Sequence, residues 1–198
     1  MGQPTTANIS EVKKSSLIIG RQPLVEALQG GRAIDKILLQ KNVVGETAAA
    51  IRKLAKDHNV PVQVVPIEKL NSISRANHQG VIAFAALVQY MDLQQVLDHV
   101  VGEGQTPLFV LLDGVTDVRN IGAIARTALC CGAQALIIPD KGVGALNEEA
   151  LKSSAGALQQ IHVVRVNSLM KAVDELHMNG IKVFASEMTA KAELDGLA

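Results

Sequence analysis

"PLFVLLDGVTDVRNIGAIARTALCCGAQALIIP", residues 107–139, decides the fold. It opens on an apolar run, crosses a polar turn, continues with apolar residues at helical spacing and closes on a second apolar run. Strands without polar alternation, separated by a helix, predict parallel neighbours buried on both faces and joined by a right-handed crossover. Ile121, Ile124, Ala125 and Ala128 follow the i, i+3, i+4, i+7 spacing of a core-facing stripe. At about 100° per residue, Arg126 then falls on the outward side, near Arg119 and Gly122. Either Asp117 or Asn120 can cap the helix, and the unpaired N–H groups of its first turn suit an anion.

The alternation continues on both sides. Downstream, "NEEALKSSAGALQ" and "SLMKAVDELHMNG" read as helices, and "IHVVRV" and "IKVFASE" as strands, giving a second module of four strands and three helices over residues 107–198. Upstream, residues 15–88 carry "SLIIG", "IDKILLQ", "VPVQVVP" and "VIAFAALV" as strands. The helices "RQPLVEALQGG", "GETAAAIRKLAKDHN" and a short one at "IEKLNSIS" lie between them. Residues 1–14 form a polar leader expected to be disordered, and 89–106 read as a linker with a short amphipathic helix. The fold class is therefore α/β, a small mixed domain followed by a parallel-sheet domain. In parallel sheets ligands lie beyond the carboxyl ends of the strands, which points to 113–120, 139–144 and 186–191.

Lys and Arg number 19 and Asp and Glu 19, but the balance conceals an asymmetry. Residues 1–88 hold 11 basic and 6 acidic groups, residues 89–198 hold 8 and 13, so the first module is the one suited to an anionic partner. Cys130 and Cys131 are adjacent, which disfavours a disulfide or a metal site and predicts buried, reduced thiols in a cytoplasmic protein. No stretch approaches the roughly 20 apolar residues of a membrane span. The turn "DGVTDVRNIG" lacks the G-x-G-x-x-G of a dinucleotide site, and no G-x-S-x-G elbow accompanies the histidines, so neither a nicotinamide cofactor nor a serine triad is expected.

The stretch "LLDGVTDVRNIGAIARTALCCGAQALIIP" closely resembles the first signature motif of the TrmH/SpoU family, RNA ribose 2'-O-methyltransferases of the α/β-knot class. Asn120 and Arg126 occupy the motif's Asn and Arg places, while Val118 stands where members often have Pro. "KSSAGAL" at 152–158 resembles the family's K-x-S-x-G-A helix, with Gln159 where many carry Glu. "IIGRQPLVEAL" and "NHQGVIAF" resemble the opening and the His-Gln-Gly turn of its N-terminal substrate-binding domain.

The resemblance implies methyl transfer from S-adenosylmethionine to a ribose 2'-hydroxyl, nearest to members acting on guanosine in large-subunit (23S) ribosomal RNA, in a homodimer. It implies Asn120 and Arg126 as catalytic residues, Arg21, His78, Gln79 and Arg119 as RNA-binding, and Ser186 and Glu187 as cofactor-binding. The family's later G-x-E-G-x-G and S-L-N-x-S-x-A motifs do not occur in this sequence. The expectation is a methyltransferase domain truncated before the knot and an incomplete, inactive form; the alternative is a non-catalytic RNA-binding protein derived from the family.

Overall fold

A computed structural model describes residues 17–41, 43–143 and 146–187. The expected leader, and residues 144 and 188–191 of the expected ligand edge, lie outside them. The first module runs β1 (Leu17–Ile19), α1 (Arg21–Gln29), β2 (Ile34–Gln40), α2 (Glu46–Asp57), β3 (Val62–Val65), α3 (Ile67–Ile73) and β4 (Val81–Ala85). Its sheet is ordered β1-β4-β2-β3, with β4 antiparallel to both β1 and β2 and only β2 and β3 parallel. Strand alternation sends Ile37 and Leu39 to the face covered by α1 and α2, and Leu38 and Ile82 to the face covered by α3. Pro23 sits in the first turn of α1, where a missing N–H costs nothing, and Asn59 adopts a left-handed φ of 52° as it closes α2.

The second module runs β5 (Tyr90–Met91), α4 (Leu93–Gly102), β6 (Phe109–Leu111), α5 (Val118–Cys130), β7 (Ala135–Pro139), α6 (Glu148–Ser153), β8 (His162–Val166) and α7 (Leu169–Met178). Its sheet, β5-β8-β7-β6, is parallel throughout, with α5 and α6 on one face and α4 and α7 on the other. Apolar residues at every position of β6 and β7 are what two covered faces require.

Three expectations change. The segment 89–106 is part of the second module: Tyr90 and Met91 pair with Val163 and Val164, and Val96 and Val100 of α4 are buried against the sheet. Residues 181–187 form no strand; Ile181 and Val183 pack part-buried on the α4 and α7 face while Phe184 stays exposed. The helix expected over "NEEALKSSAGALQ" stops at Ser153, because Ala155 and Gly156 both take left-handed φ values, 47° and 88°, before a 3-10 turn at Ala157–Gln159. Ser154 Oγ stabilises the break by donating to the Leu151 carbonyl at 2.9 Å.

Candidate functional site

The loop from β6 to α5 opens at the carboxyl edge of the parallel sheet. Asp117, not Asn120, caps α5: its Oδ1 accepts from the Arg119 backbone N–H at 2.9 Å. The same carboxylate takes the Arg119 guanidinium as a fork, with Nε at 3.3 Å and Nη2 at 3.0 Å. This pairing, chiefly the side-chain hydrogen bond, holds the Asp117 carboxyl below the usual carboxylate range and raises Arg119. The Arg119 guanidinium, expected on RNA, is therefore engaged within its own turn.

Asn120 and Arg126 are both exposed, and neither side chain has a hydrogen bond or ion pair among the described residues. Six residues apart, they diverge by about 120° around the helix, so α5 does not bring them onto one face. Arg126 and Arg119, seven apart, differ by only about 20° and form a basic stripe. Cys130 and Cys131, at the C-terminal end of α5, are exposed rather than buried as the sequence suggested.

Gly122 does not face outward with Arg126. It is buried where α5 crosses α6, and a Cβ there would overlap Ser153 Oγ and the Ala150 carbonyl oxygen. The glycine of the motif thus permits close helix approach, which packs the Asn-x-Gly turn of α5 directly onto the "KSSAGA" segment.

In the first module Arg21 and Gln79 come together: Arg21 Nε donates to the Gln79 carbonyl at 3.0 Å, and the Gln79 side-chain oxygen accepts from the Arg21 N–H at 3.4 Å. His78 does not join them at the surface. It is buried, its Nδ1 accepting from the Gly80 N–H at 3.0 Å and its Nε2 lying 2.9 Å from Asn71 Oδ1. Both ring nitrogens of His78 are thus engaged inside the turn, and the tautomer that fits carries its proton on Nε2.

Ser186 and Glu187 are exposed and lie in no strand. A cleft of about 350 Å³ lies elsewhere, between the two modules, lined among others by Lys36, Gln63, Tyr90, Pro139, Lys141 and Arg165. Neither Asn120 nor Arg126 lines it. Asn120 and Arg126 stand instead on the exposed surface of α5.

Sequence reasoning missed the groups at that junction. Arg165 on β8 is buried, and its guanidinium donates to the carbonyls of Asp35 at 2.7 Å, Ile34 at 3.0 Å and Asn59 at 3.2 Å, all in the first module. It lies 3.8 Å from the Asp35 carboxylate and stacks 3.8 Å from the centre of the Tyr90 ring, whose hydroxyl donates to Asp35 at 3.0 Å. The available signals were an arginine inside the apolar run "IHVVRV" and a lone tyrosine in a chain with 2% aromatic residues.

Residues 17–91 match the family model for RNA 2'-O ribose methyltransferase substrate binding, and residues 107–195 match the SpoU rRNA Methylase family. A Staphylococcus epidermidis protein assigned to the TrmH family of tRNA/rRNA methyltransferases is 37% identical over 171 residues, 86% of this chain and 69% of its own. A Staphylococcus aureus protein of the same assignment is 37% identical over 174 residues, 88% and 70%. Among solved structures, the SpoU methyltransferase AviRb of Streptomyces viridochromogenes, in complex with the cofactor AdoMet, aligns at 22% identity and a TM-score of 0.40. That alignment covers 83% of this chain and 58% of AviRb. An RNA 2'-O ribose methyltransferase aligns at 21% and 0.39, over 89% and 64%. This chain thus spans 58% and 64% of the lengths of those two solved chains.

A mixed module matched to RNA substrate binding, followed by a parallel-sheet module matched to methylation, defines the class. The chain belongs to the TrmH/SpoU family of RNA methyltransferases.

Proposed function

We propose that this protein takes part in methylating a ribose 2'-hydroxyl of RNA, with guanosine of large-subunit ribosomal RNA as the substrate and S-adenosylmethionine as the donor. The observation that carries the reading is Arg126: exposed on α5, without a hydrogen bond or ion pair among the described residues, and one of two arginines on a helix that starts at the ligand edge of the sheet. S-adenosylmethionine, when bound, supplies an electrophilic methyl. The residues of this chain act on the other reactant.

A guanidinium is a poor base but a planar, multi-donor grip for an anion, so Arg126 is assigned to gripping the phosphate next to the reacting ribose and orienting its hydroxyl. Asn120 can donate to and accept from the ribose. Because the two diverge around α5, the substrate must wrap the first turns of the helix or receive a second surface, such as that of a second copy in a homodimer. The Arg21–Gln79 corner of the first module is assigned to the RNA backbone. We place the protein in the cytoplasm on the same family reading; among the described residues no helix is long and apolar enough to cross a membrane.

A second reading has a specific observation behind it. Arg21 and Gln79 already form a surface corner within the first module, which favours a chain that binds RNA without transferring a methyl group. Titration with S-adenosylmethionine, beside a form carrying the two later motifs, tests the division. Weak binding by the chain and tight binding by the longer form is expected; tight binding by the chain alone overturns it.

A further inference from the structure

The first module meets the second at the carboxyl edge of the parallel sheet, where the contact is polar rather than oily. Asp35 sits where the β2–β4 register shifts, between the pairs Ile34↔Ala85 and Lys36↔Phe84. A bulge there takes backbone groups out of the ladder and re-aims them. The carbonyls of Ile34 and Asp35 go to the Arg165 guanidinium, which takes the Asn59 carbonyl at the end of α2 as well. Tyr90 of β5 closes the cluster from the side, stacked on Arg165 and bonded to Asp35.

We infer that Arg165 is a positioning residue, the pin that fixes the RNA-binding module on the methyltransferase module in one orientation, with Tyr90 and Asp35 as its clasp. The geometry suits that work. A planar guanidinium with several fixed donors reads three carbonyls at set angles, which a sliding apolar contact cannot do. Arg165 has only its Nε without a partner, so rotation of either module would strand a buried charge and several carbonyls together. The cleft beside it, with one wall from each module, keeps its shape only while the pin holds. The consequence for catalysis rests on the proposed function: the pin sets where RNA held at Arg21 and Gln79 meets the α5 edge.

The chain carries its own reporter, because Tyr90 is its only tyrosine and it has no tryptophan. Burial, followed by the Asp35 charge, pushes the Tyr90 hydroxyl well above its ordinary value of 10.0. The charged or titratable groups facing this junction are Asp35 and Lys36 on β2, Asp140 and Lys141 after β7, and Arg165 on β8.

The test follows phenolate absorbance and helix content together during alkaline titration, and thermal unfolding by tyrosine fluorescence and circular dichroism. Wild type is expected to show no phenolate while folded and to unfold in one transition seen by both probes. Arg165→Met should titrate near pH 10 with helices intact and split unfolding into two steps, with Arg165→Lys between them. Should Arg165→Met fail to fold, the wild-type titration and Arg165→Lys decide. Ordinary tyrosine titration in the folded wild type, or a shielded Tyr90 and single transition in both variants, overturns the pin. An RNA-binding assay on wild type keeps the two readings apart: failure to bind RNA counts against the proposed function and leaves the unfolding result standing.

Discussion

Substituting Gly122 with alanine should destabilise the protein although alanine is the better helix former. The gain from helix propensity is about 1 kcal/mol. Against it, the new Cβ would overlap Ser153 Oγ and the Ala150 carbonyl oxygen and lie 3.0 Å from the Ser154 nitrogen. Ser153 can rotate away, at the loss of its 3.0 Å hydrogen bond to the Ala150 carbonyl. The carbonyl cannot move alone, because it also accepts from the Ser154 N–H at 3.0 Å within α6. α6 must therefore retreat as a body from α5, loosening Ile121, Ala125 and Ala150, all fully buried. Overpacking costs about 1–3 kcal/mol, and a backbone obstacle places this case at the top of that range. The net loss is about 2 kcal/mol, a fall in Tm of roughly 4–8 °C for a chain of this length. Calorimetry of Gly122→Ala, with Gly122→Ala/Ser153→Ala beside it, measures the loss and separates the hydroxyl from the carbonyl. The double variant should recover little. A Gly122→Ala protein as stable as wild type would refute the close-crossing argument and return the glycine to the substrate.

Further expectations can be checked with the same protein. His78→Ala should cost about 2–3 kcal/mol in denaturant unfolding, through an orphaned Gly80 N–H and lost packing, and should weaken RNA binding no more than stability explains. Arg21→Ala should instead leave stability nearly unchanged while lowering the salt slope of RNA binding by about one, as loss of one phosphate contact predicts. Asp117→Asn keeps a capping oxygen but loses the Arg119 pairing. Because that pairing depresses the Asp117 pKa, its stabilisation is present above about pH 3.9 and lost as pH falls through the folded value, so wild type and variant should converge in acid-unfolding curves below about pH 4.

What was legible in the sequence follows from how local each cause is. Apolar runs such as "ALIIP" and stripes such as Ile121, Ala125 and Ala128 announce the strands, the helix and its buried face directly, because one residue's neighbours decide its burial. Tyr90 and Met91 were hidden because a two-residue strand has no period to read; only pairing with β8 makes it one. The strand expected at 181–187 has the right composition but no partner among the described residues, and composition alone does not supply a ladder. Asn120 and Arg126 stood out in the sequence as candidates and both lie exposed on α5, while the inward-facing Gly122 needed coordinates. The pin was illegible for a deeper reason: Arg165 bonds backbone carbonyls 106–131 positions away, and a carbonyl leaves no trace in a residue's identity.

The central claim is that Arg126 serves methyl transfer to ribose, and the most direct measurement maps the product. The full-length gene product, S-adenosylmethionine with a labelled methyl group and ribosomal RNA are incubated, and the label is located by nuclease digestion and mass spectrometry. The account predicts a 2'-O-methylated nucleoside with wild type, and at least a hundredfold slower formation with Arg126→Ala at unchanged Tm, on the scale of about 3 kcal/mol of lost transition-state stabilisation. Label on a base, or undiminished methylation by Arg126→Ala, would contradict it.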